Sequence, residues 1–303
     1  MVNSGFDRRE LVALASLGGL SIIFGSALAP QAVAQGAPAA ALPEDFFFVQ
    51  LSDTHWGFKD DSVNPDAEGT LNQVIAGINS LARQPDFIVF TGDMTHTTND
   101  AKERRRRMAD VRAMLGELKV KDIKYTPGDH DATPDRGEAY QEFFGDPYYT
   151  FDHNGVHFIV LDNVSDSMAA VGEKQIQWLQ ADLKQQDKDA RIVVLTHRPL
   201  FDLAPDWDWA TQDGAAVIDT LMPHSNVTVL YGHIHQEHHH MTGHIAHHAA
   251  KSLMWALPVA YSVPKKGPIP WTAAEPYKGL GFRDVEAEVR MGKYDIEEIP
   301  VKG

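Results

Sequence analysis

The chain has 303 residues, 43% of them hydrophobic and 23% charged, enough to bury a full core and outside the disordered and collagen-like classes. Its formal net charge of -15 repels a phosphate polymer, which excludes DNA and RNA as general partners. With no cysteine, disulfides, thiolate metal sites and thiol nucleophiles are excluded together, and any metal must be held by oxygen and nitrogen.

Residues 1–41 read as an address rather than as part of a fold. Arg8 and Arg9 precede an uncharged apolar run from Leu11 to Ala29, then Pro30 and the small-residue cleavage pattern Ala32-Val33-Ala34. The order Arg8-Arg9-Glu10-Leu11-Val12 resembles a bacterial twin-arginine export signal, with Asp7 where that signal usually has Ser or Thr. The expectation is cleavage near Ala34, passing contact with the export machinery, and a periplasmic or secreted mature protein. The alternative is an uncleaved membrane anchor, because the 19 residues from Leu11 to Ala29 are long enough to reach across a bilayer. No Pro/Gly/Ser-rich linker or internal repeat follows, and residues 42–303 read as one domain.

From Phe46 onward, apolar strand-like runs alternate with amphipathic helices, which predicts an α/β domain. Phe46 to Leu51 is the first strand. Leu71, Val74, Ile75, Ile78 and Leu81 recur at helical spacing, and Phe87 to Phe90 form the second strand. A helix follows around Ala101 to Leu118. It carries Arg104 to Arg107, whose side chains point about 100° apart and so wrap around the helix as a solvated face with salt bridges to nearby acids rather than gather into one anion grip. Next come the strand Ile123 to Thr126 and a hairpin, Tyr148 to Asp152 with Val156 to Asp162, around Asn154-Gly155. A helix through Gln175, Trp178, Leu179 and Leu183, strands at Ile192 to Thr196 and Val227 to Tyr231, and a closing hairpin from Val285 to Val301 complete the series.

Polar residues fall at telling places on this map. Ser52-Asp53-Thr54-His55, Gly92-Asp93, Gly128-Asp129-His130-Asp131, Thr196-His197 and Gly232-His233-Ile234-His235 each follow an apolar strand. Open α/β sheets bind ligands outside strand carboxyl ends, so five strands deliver these side chains to one place. Three carboxylates and four imidazoles make a ligand set suited to Mn, Fe or Zn and too poor in carboxylate for a calcium cage. If the strand continues through His233 and His235, their spacing of two places both on one face.

The ordered set Asp53-x-His55, Gly92-Asp93, Gly128-Asp129-His130-Asp131, His197 and Gly232-His233-x-His235 resembles the calcineurin-like metallophosphoesterase superfamily, over residues 46 to about 260. In motif order it is most similar to bacterial cyclic-nucleotide phosphodiesterases. The resemblance implies a four-layer αββα sandwich, two mixed β-sheets flanked by helices, with two transition-metal ions at one edge. It implies that Asp53, His55, Asp93 and His235 hold one ion and that Asp93 bridges to a second held by Asp129, His197 and His233. Such a pair acidifies a shared water for in-line attack on phosphorus. His130 matches the position of the acid that protonates the leaving group, with Asp131 placed to orient or polarise it.

Two departures from that pattern bear on chemistry. The superfamily usually has Asn where this chain has Asp129, and the added carboxylate makes a metal-bound water less acidic or favours a harder, more highly charged ion. Purple acid phosphatases have a metal-bound Tyr three residues after the bridging Asp; His96 stands there instead, as an extra ligand or as a hydrogen-bonding support to one. His238, His239, His240, His244, His247 and His248 read either as a metal-loading cluster or as a polar hairpin. Pro205-Asp206-Trp207-Asp208-Trp209 is a substrate rim or a loop anchored by its tryptophans, and Lys265 and Lys266 are a contact for substrate phosphate or plain surface lysines. The expected activity is metal-dependent hydrolysis of a small-molecule phosphate mono- or diester; the alternative is a metal-binding or scavenging protein with the cage and no turnover.

Overall fold

Six consecutive buried residues, Phe46–Leu51, make strand β1, and their uninterrupted burial means that both faces are covered. The structure, a computed structural model, describes residues 44–302; the export signal expected over residues 1–41 lies outside them. After β1 come helix α1 (Ala67–Ser80), β2 (Phe87–Phe90), α2 (Ala101–Leu115), β3 (Ile123–Tyr125), and the short helices α3 (Asp129–Ala132) and α4 (Glu138–Phe144). The second half runs β4 (Tyr149–His153), β5 (Val156–Val160), α5 (Glu173–Leu183), β6 (Arg191–Leu195), α6 (Gly214–Leu221), β7 (Asn226–Tyr231), β8 (His238–Thr242), β9 (Ile245–Ala249), β10 (Gly281–Glu288) and β11 (Lys293–Pro300).

Two mixed sheets result, in the orders β11-β10-β1-β2-β3 and β4-β5-β6-β7-β9-β8. Strands β1, β2 and β3 are parallel in the first, as are β5, β6, β7 and β9 in the second. Alternation along β1 sorts its side chains between two cores. Phe46 and Phe48 meet Phe87, Phe158, Val193 and Leu230 between the sheets, whereas Phe47, Val49 and Leu51 pack with Leu71, Ile78, Met108 and Val111 of α1 and α2. On the far side, Leu179 and Leu183 of α5 and Val217 and Leu221 of α6 cover Ile192 and Val194. The order of layers is therefore helix, sheet, sheet, helix, as expected.

α2 stops at Leu115 rather than Leu118, with Gly116 as its C-cap; at its start the Asp100 carboxylate accepts the N–H groups of Lys102 and Glu103. Its arginines are paired rather than free: Arg104 is buried against Asp135 at 2.8 Å, Arg105 meets Glu142 at 2.6 Å, and Arg106 and Arg107 share Glu103. Among the described residues no helix is long and apolar enough to cross a membrane.

Candidate metal centre

All seven expected ligands lie just beyond the carboxyl ends of β1, β2, β3, β6 and β7. The first sheet supplies Asp53, His55, Asp93 and Asp129; the second supplies His197, His233 and His235. Their ligand atoms gather into two groups, Asp53–His55–His235 and Asp93–Asp129–His197–His233, each spanning less than 4.8 Å.

Backbone geometry explains how strands that run parallel can aim these side chains at common points. Five of the seven, Asp53, His55, Asp93, His233 and His235, have φ between 45 and 65°, a left-handed conformation costing about 1–2 kcal/mol each for a residue with a Cβ. Strain of that kind survives only where the surroundings over-determine it, and here they do. Asp53 N–H donates to the Gly92 carbonyl and His55 N–H to that of Asp93, at 3.0 and 2.9 Å, while the Asp53 carboxylate accepts the His233 N–H at 3.1 Å. Gly92 (φ 92°) and Gly128 are needed because the loops touch. A Cβ on Gly92 would stand 2.8 Å from Gly128 Cα, and one on Gly128 would overlap the Asp93 backbone nitrogen. The same turns correct one expectation: β7 ends at Tyr231, so His233 and His235 are not alternate residues of a strand, and left-handed turns rather than strand alternation bring them inward.

Backbone carbonyls decide which imidazole nitrogen faces the centre. His197 Nδ1 donates to Thr91 O at 2.7 Å, His235 Nδ1 to Trp255 O at 2.8 Å, and His233 Nε2 to Asp208 O at 2.8 Å. The opposite nitrogens turn inward. His233 Nδ1 lies 2.8 Å and His197 Nε2 3.0 Å from Asp129 Oδ1; His235 Nε2 is 3.2 Å from Asp53 Oδ1 and 3.1 Å from His55 Nε2. Burial would lower the pKa of His197, yet Asp93 and Asp129 outweigh it and raise it well above the ordinary imidazole range. Asp129 shows the mirror effect: burial would raise it, but His233 and His197 hold it well below the usual carboxylate range. Burial and the rings of His130, His235 and His96 keep His55 well below its normal pKa, a neutral nitrogen suited to coordination. Carboxylates that draw positive charge, facing imidazole nitrogens whose other N–H is already committed, fit transition-metal cations.

His130 stands beside this centre. The Thr97 N–H donates to its Nδ1 at 3.1 Å, so the neutral ring carries its proton on Nε2, 3.9 Å from Asp129 Oδ2. Asp131 does not orient it. The Asp131 carboxylate is fully buried and accepts the N–H groups of Met94, Thr95 and Gly128 and the Thr95 hydroxyl, at 2.8 to 3.1 Å. It fastens the loop after Asp93, and burial together with the charge of Asp93 pushes its pKa up to about 7. His96 brings its Nδ1 to 3.5 Å from His55 Nδ1, on the side away from Asp53 and His235. Once His55 Nε2 serves the centre, its Nδ1 keeps a proton, so His55, His96 and His130 do not add up to an independent cation site.

None of the hairpin histidines 238 to 248 belongs to the three clusters of potential metal ligands found among the described residues. Trp207 and Trp209 are buried with Tyr231, Met254 and Trp255, which makes them anchors of their loop. Asp208, between them, is held by the Arg198 guanidinium and lends its carbonyl to His233. These carbonyl partners are main-chain groups of residues chosen for other reasons, and no side-chain pattern announces them. Two cavities of about 320 Å³ each open on the centre. One is lined by Asp93, Asp129, His130, Trp255 and Lys266, the other by Asp129, His130, Thr97, Arg198 and Asp208.

The family model for calcineurin-like phosphoesterases matches residues 48–237. The chain belongs to this family. It is 30% identical over 178 residues to the serine/threonine-protein phosphatase CPPED1 of Mus musculus, covering 52% of this chain and 57% of that one. It is 29% identical over 204 residues to a probable cyclic nucleotide phosphodiesterase of Rhodococcus erythropolis, covering 62% and 64%. The matches thus span less than two thirds of these relatives. Among solved structures, a dimetal phosphatase from Danio rerio superposes with a TM-score of 0.57 at 16% identity, covering 85% of this chain and 99% of that one. GAP50, described as an anchor in the inner membrane complex of Plasmodium, follows at 0.54 and 15%, covering 86% and 90%. These likenesses establish the fold, and the fold alone does not decide turnover.

Proposed function

We propose that this chain is an exported, metal-dependent phosphoesterase acting on a small phosphate mono- or diester. The observation that carries the reading is the inward aim of His197, His233 and His235, each with its outer N–H fixed by a main-chain carbonyl, toward Asp53, Asp93 and Asp129. Two ions of manganese, iron or zinc held there would acidify a water and neutralise charge on the phosphoryl oxygens. His130 supplies the proton as an imidazolium: protonation at Nδ1 releases the Thr97 N–H, and the Nε2–H, which borders both cavities, passes to the departing alkoxide and leaves a neutral ring. His96 backs His55 from behind, and Asp131 fixes the Met94–Thr95 turn that carries Asp93 inward. The small openings and the acidic chain favour a compact substrate over a nucleic-acid polymer.

Export rests on Arg8, Arg9 and the apolar run to Ala29, with cleavage near Ala34. Mass spectrometry of the mature amino terminus tests it; an intact segment recovered with membranes overturns it. For the activity, protein isolated without chelators and reconstituted with each metal is assayed on aryl phosphate mono- and diesters. Turnover that rises with metal content up to about two ions per chain is expected. Fully loaded protein inert toward both ester types overturns the reading and leaves the metal-binding alternative.

A further inference from the structure

Among the described residues, Lys266 is the one lysine or arginine lining the cavity that also contains His55, Asp93, Asp129, His130, Asp208, His233 and His235. It is half-buried, and among the described residues its ammonium has no hydrogen bond or ion pair. A charge withdrawn from water without a partner is costly, and in a cavity of about 320 Å³ the group that relieves the cost is a ligand. The loop that carries it is fastened on its far side: Ile269 N–H donates to Ala256 O at 2.9 Å, and Trp271 N–H to Ser62 O at 3.0 Å. Ala256 follows Trp255, whose carbonyl holds His235, so the placement of Lys266 is tied to that of a candidate ligand. Lys265, its neighbour, is exposed and lines no part of this cavity.

We propose that Lys266 binds the substrate's phosphate through a phosphoryl oxygen. The inference rests on the phosphoesterase reading and adds to it a cation of the chain's own beside the ions. Lys266 shares the cavity with Asp93, Asp129 and His130, so an ester whose phosphate reaches the proposed ions and proton donor also passes its ammonium, which forms a charge-assisted hydrogen bond to a phosphoryl oxygen. Burial lowers the Lys266 pKa, while Asp208 and Asp129 act in the opposite direction and favour the ammonium. The cavity's apolar lining is Trp255, which stacks on His55 at 4.3 Å, with Leu257 and Pro268, and the ester group rests on it while the phosphate meets Lys266.

The test is calorimetric titration of inorganic phosphate into the full, metal-loaded chain, with elemental analysis of every sample. Lys266→Met should weaken phosphate binding about tenfold to a hundredfold with unchanged metal content. Lys266→Arg should recover most of that loss, and Lys265→Met should bind as the unaltered protein does. Phosphate affinity in Lys266→Met equal to the parent's, or an equal loss in Lys265→Met, overturns the lysine's role while leaving the phosphoesterase reading intact. An unaltered, loaded protein that neither binds phosphate nor turns over an aryl phosphate overturns both.

Discussion

Two regions of this molecule are rich in histidine, and only one of them is organised to hold a metal. At the strand ends, four imidazoles face three carboxylates, and three of the four have one nitrogen fixed by a main-chain carbonyl. On the β8–β9 hairpin, six imidazoles are closer together in sequence yet scatter their contacts: His238 meets the Tyr231 hydroxyl at 3.0 Å and His244 donates to the His224 carbonyl at 2.7 Å. His239 and His248, directly opposed across the strands, share a 2.6 Å contact between their Nδ1 atoms. His240 stacks on Phe201 at 3.9 Å, and His247 is fully buried with no hydrogen-bond partner at either nitrogen. The density of histidine is higher where the capacity for metal is lower. Strand alternation sends His239 and His248 to one face and His238, His240 and His247 to the other, whereas left-handed turns bring the strand-end residues to common points.

The comparison is broken or sharpened by a graded set of substitutions. The largest effect is expected from Asp93→Ala, which removes the carboxylate that reaches both groups, 3.5 Å from His55 Nε2 and 3.4 Å from His197 Nε2. Metal content should fall by at least one ion per chain, and kcat/KM on an aryl phosphate by about a thousandfold, some 4 kcal/mol of transition-state stabilisation. Retention of two ions would mean that the strand-end groups are not the metal site. His130→Ala comes next. It should reduce turnover of an alkyl phosphate by about a hundredfold or more and of an activated aryl ester far less, with metal content unchanged, because only the poor leaving group needs a proton. Equal losses on both esters would count against a proton-donating role.

On the hairpin the expected effects concern stability and pH. Burial, reinforced by His240 and His248, pushes the His247 pKa down to about 3, and burial with His239 pushes that of His248 down to about 4. In the unfolded chain both return to about 6.5. Between those values the unfolded state binds more protons, so the stability present above pH 6.5 is lost as the pH falls. For His247 the loss is about 2 kcal/mol on going from pH 6.5 to 5. Urea unfolding of His247→Leu should show a shallower decline over that interval than the parent; an identical slope would refute the burial argument. The smallest effect belongs to His239→Ala combined with His248→Ala. It should leave turnover and bound metal unchanged and alter stability by less than about 1 kcal/mol, since the pair is partly exposed. Loss of an ion there would give the hairpin a metal-loading role after all.

Much of this organisation was legible in the amino-acid order, and the parts that were not share a cause. Phe46–Leu51, Phe87–Phe90 and Val227–Tyr231 announced themselves because strands buried on both faces read as continuous apolar runs, and the Asp and His residues after them followed from where open sheets bind ligands. The seven helical residues of α4 are too few for periodicity to register, and the eight of α6, beginning Gly214-Ala215-Ala216, show little polar contrast. Asp131 was misjudged because adjacency in sequence implied contact with His130, whereas helical geometry turns neighbouring side chains apart and sends its carboxylate to the Met94–Thr95 turn. The carbonyls of Thr91, Asp208 and Trp255 could not be anticipated at all, since every residue has one and only the fold decides where it points.

Each strand-end group takes its residues from both sheets: Asp53 and His55 with His235, and Asp93 and Asp129 with His197 and His233. A cation bound there is therefore also a rivet between layers, in a chain that has no cysteine with which to make a disulfide. By mass action, an ion at a hundred times its Kd adds about 2.7 kcal/mol against any opening that parts its ligands, and two such ions act on the same seam. The seam is the one packed by Phe48, Phe87 and Phe158, so withdrawal of ions held there would loosen the junction of the two sheets as well as empty a site. With both ions bound, a chelator would act on this fold as a reductant acts on a disulfide-stapled one.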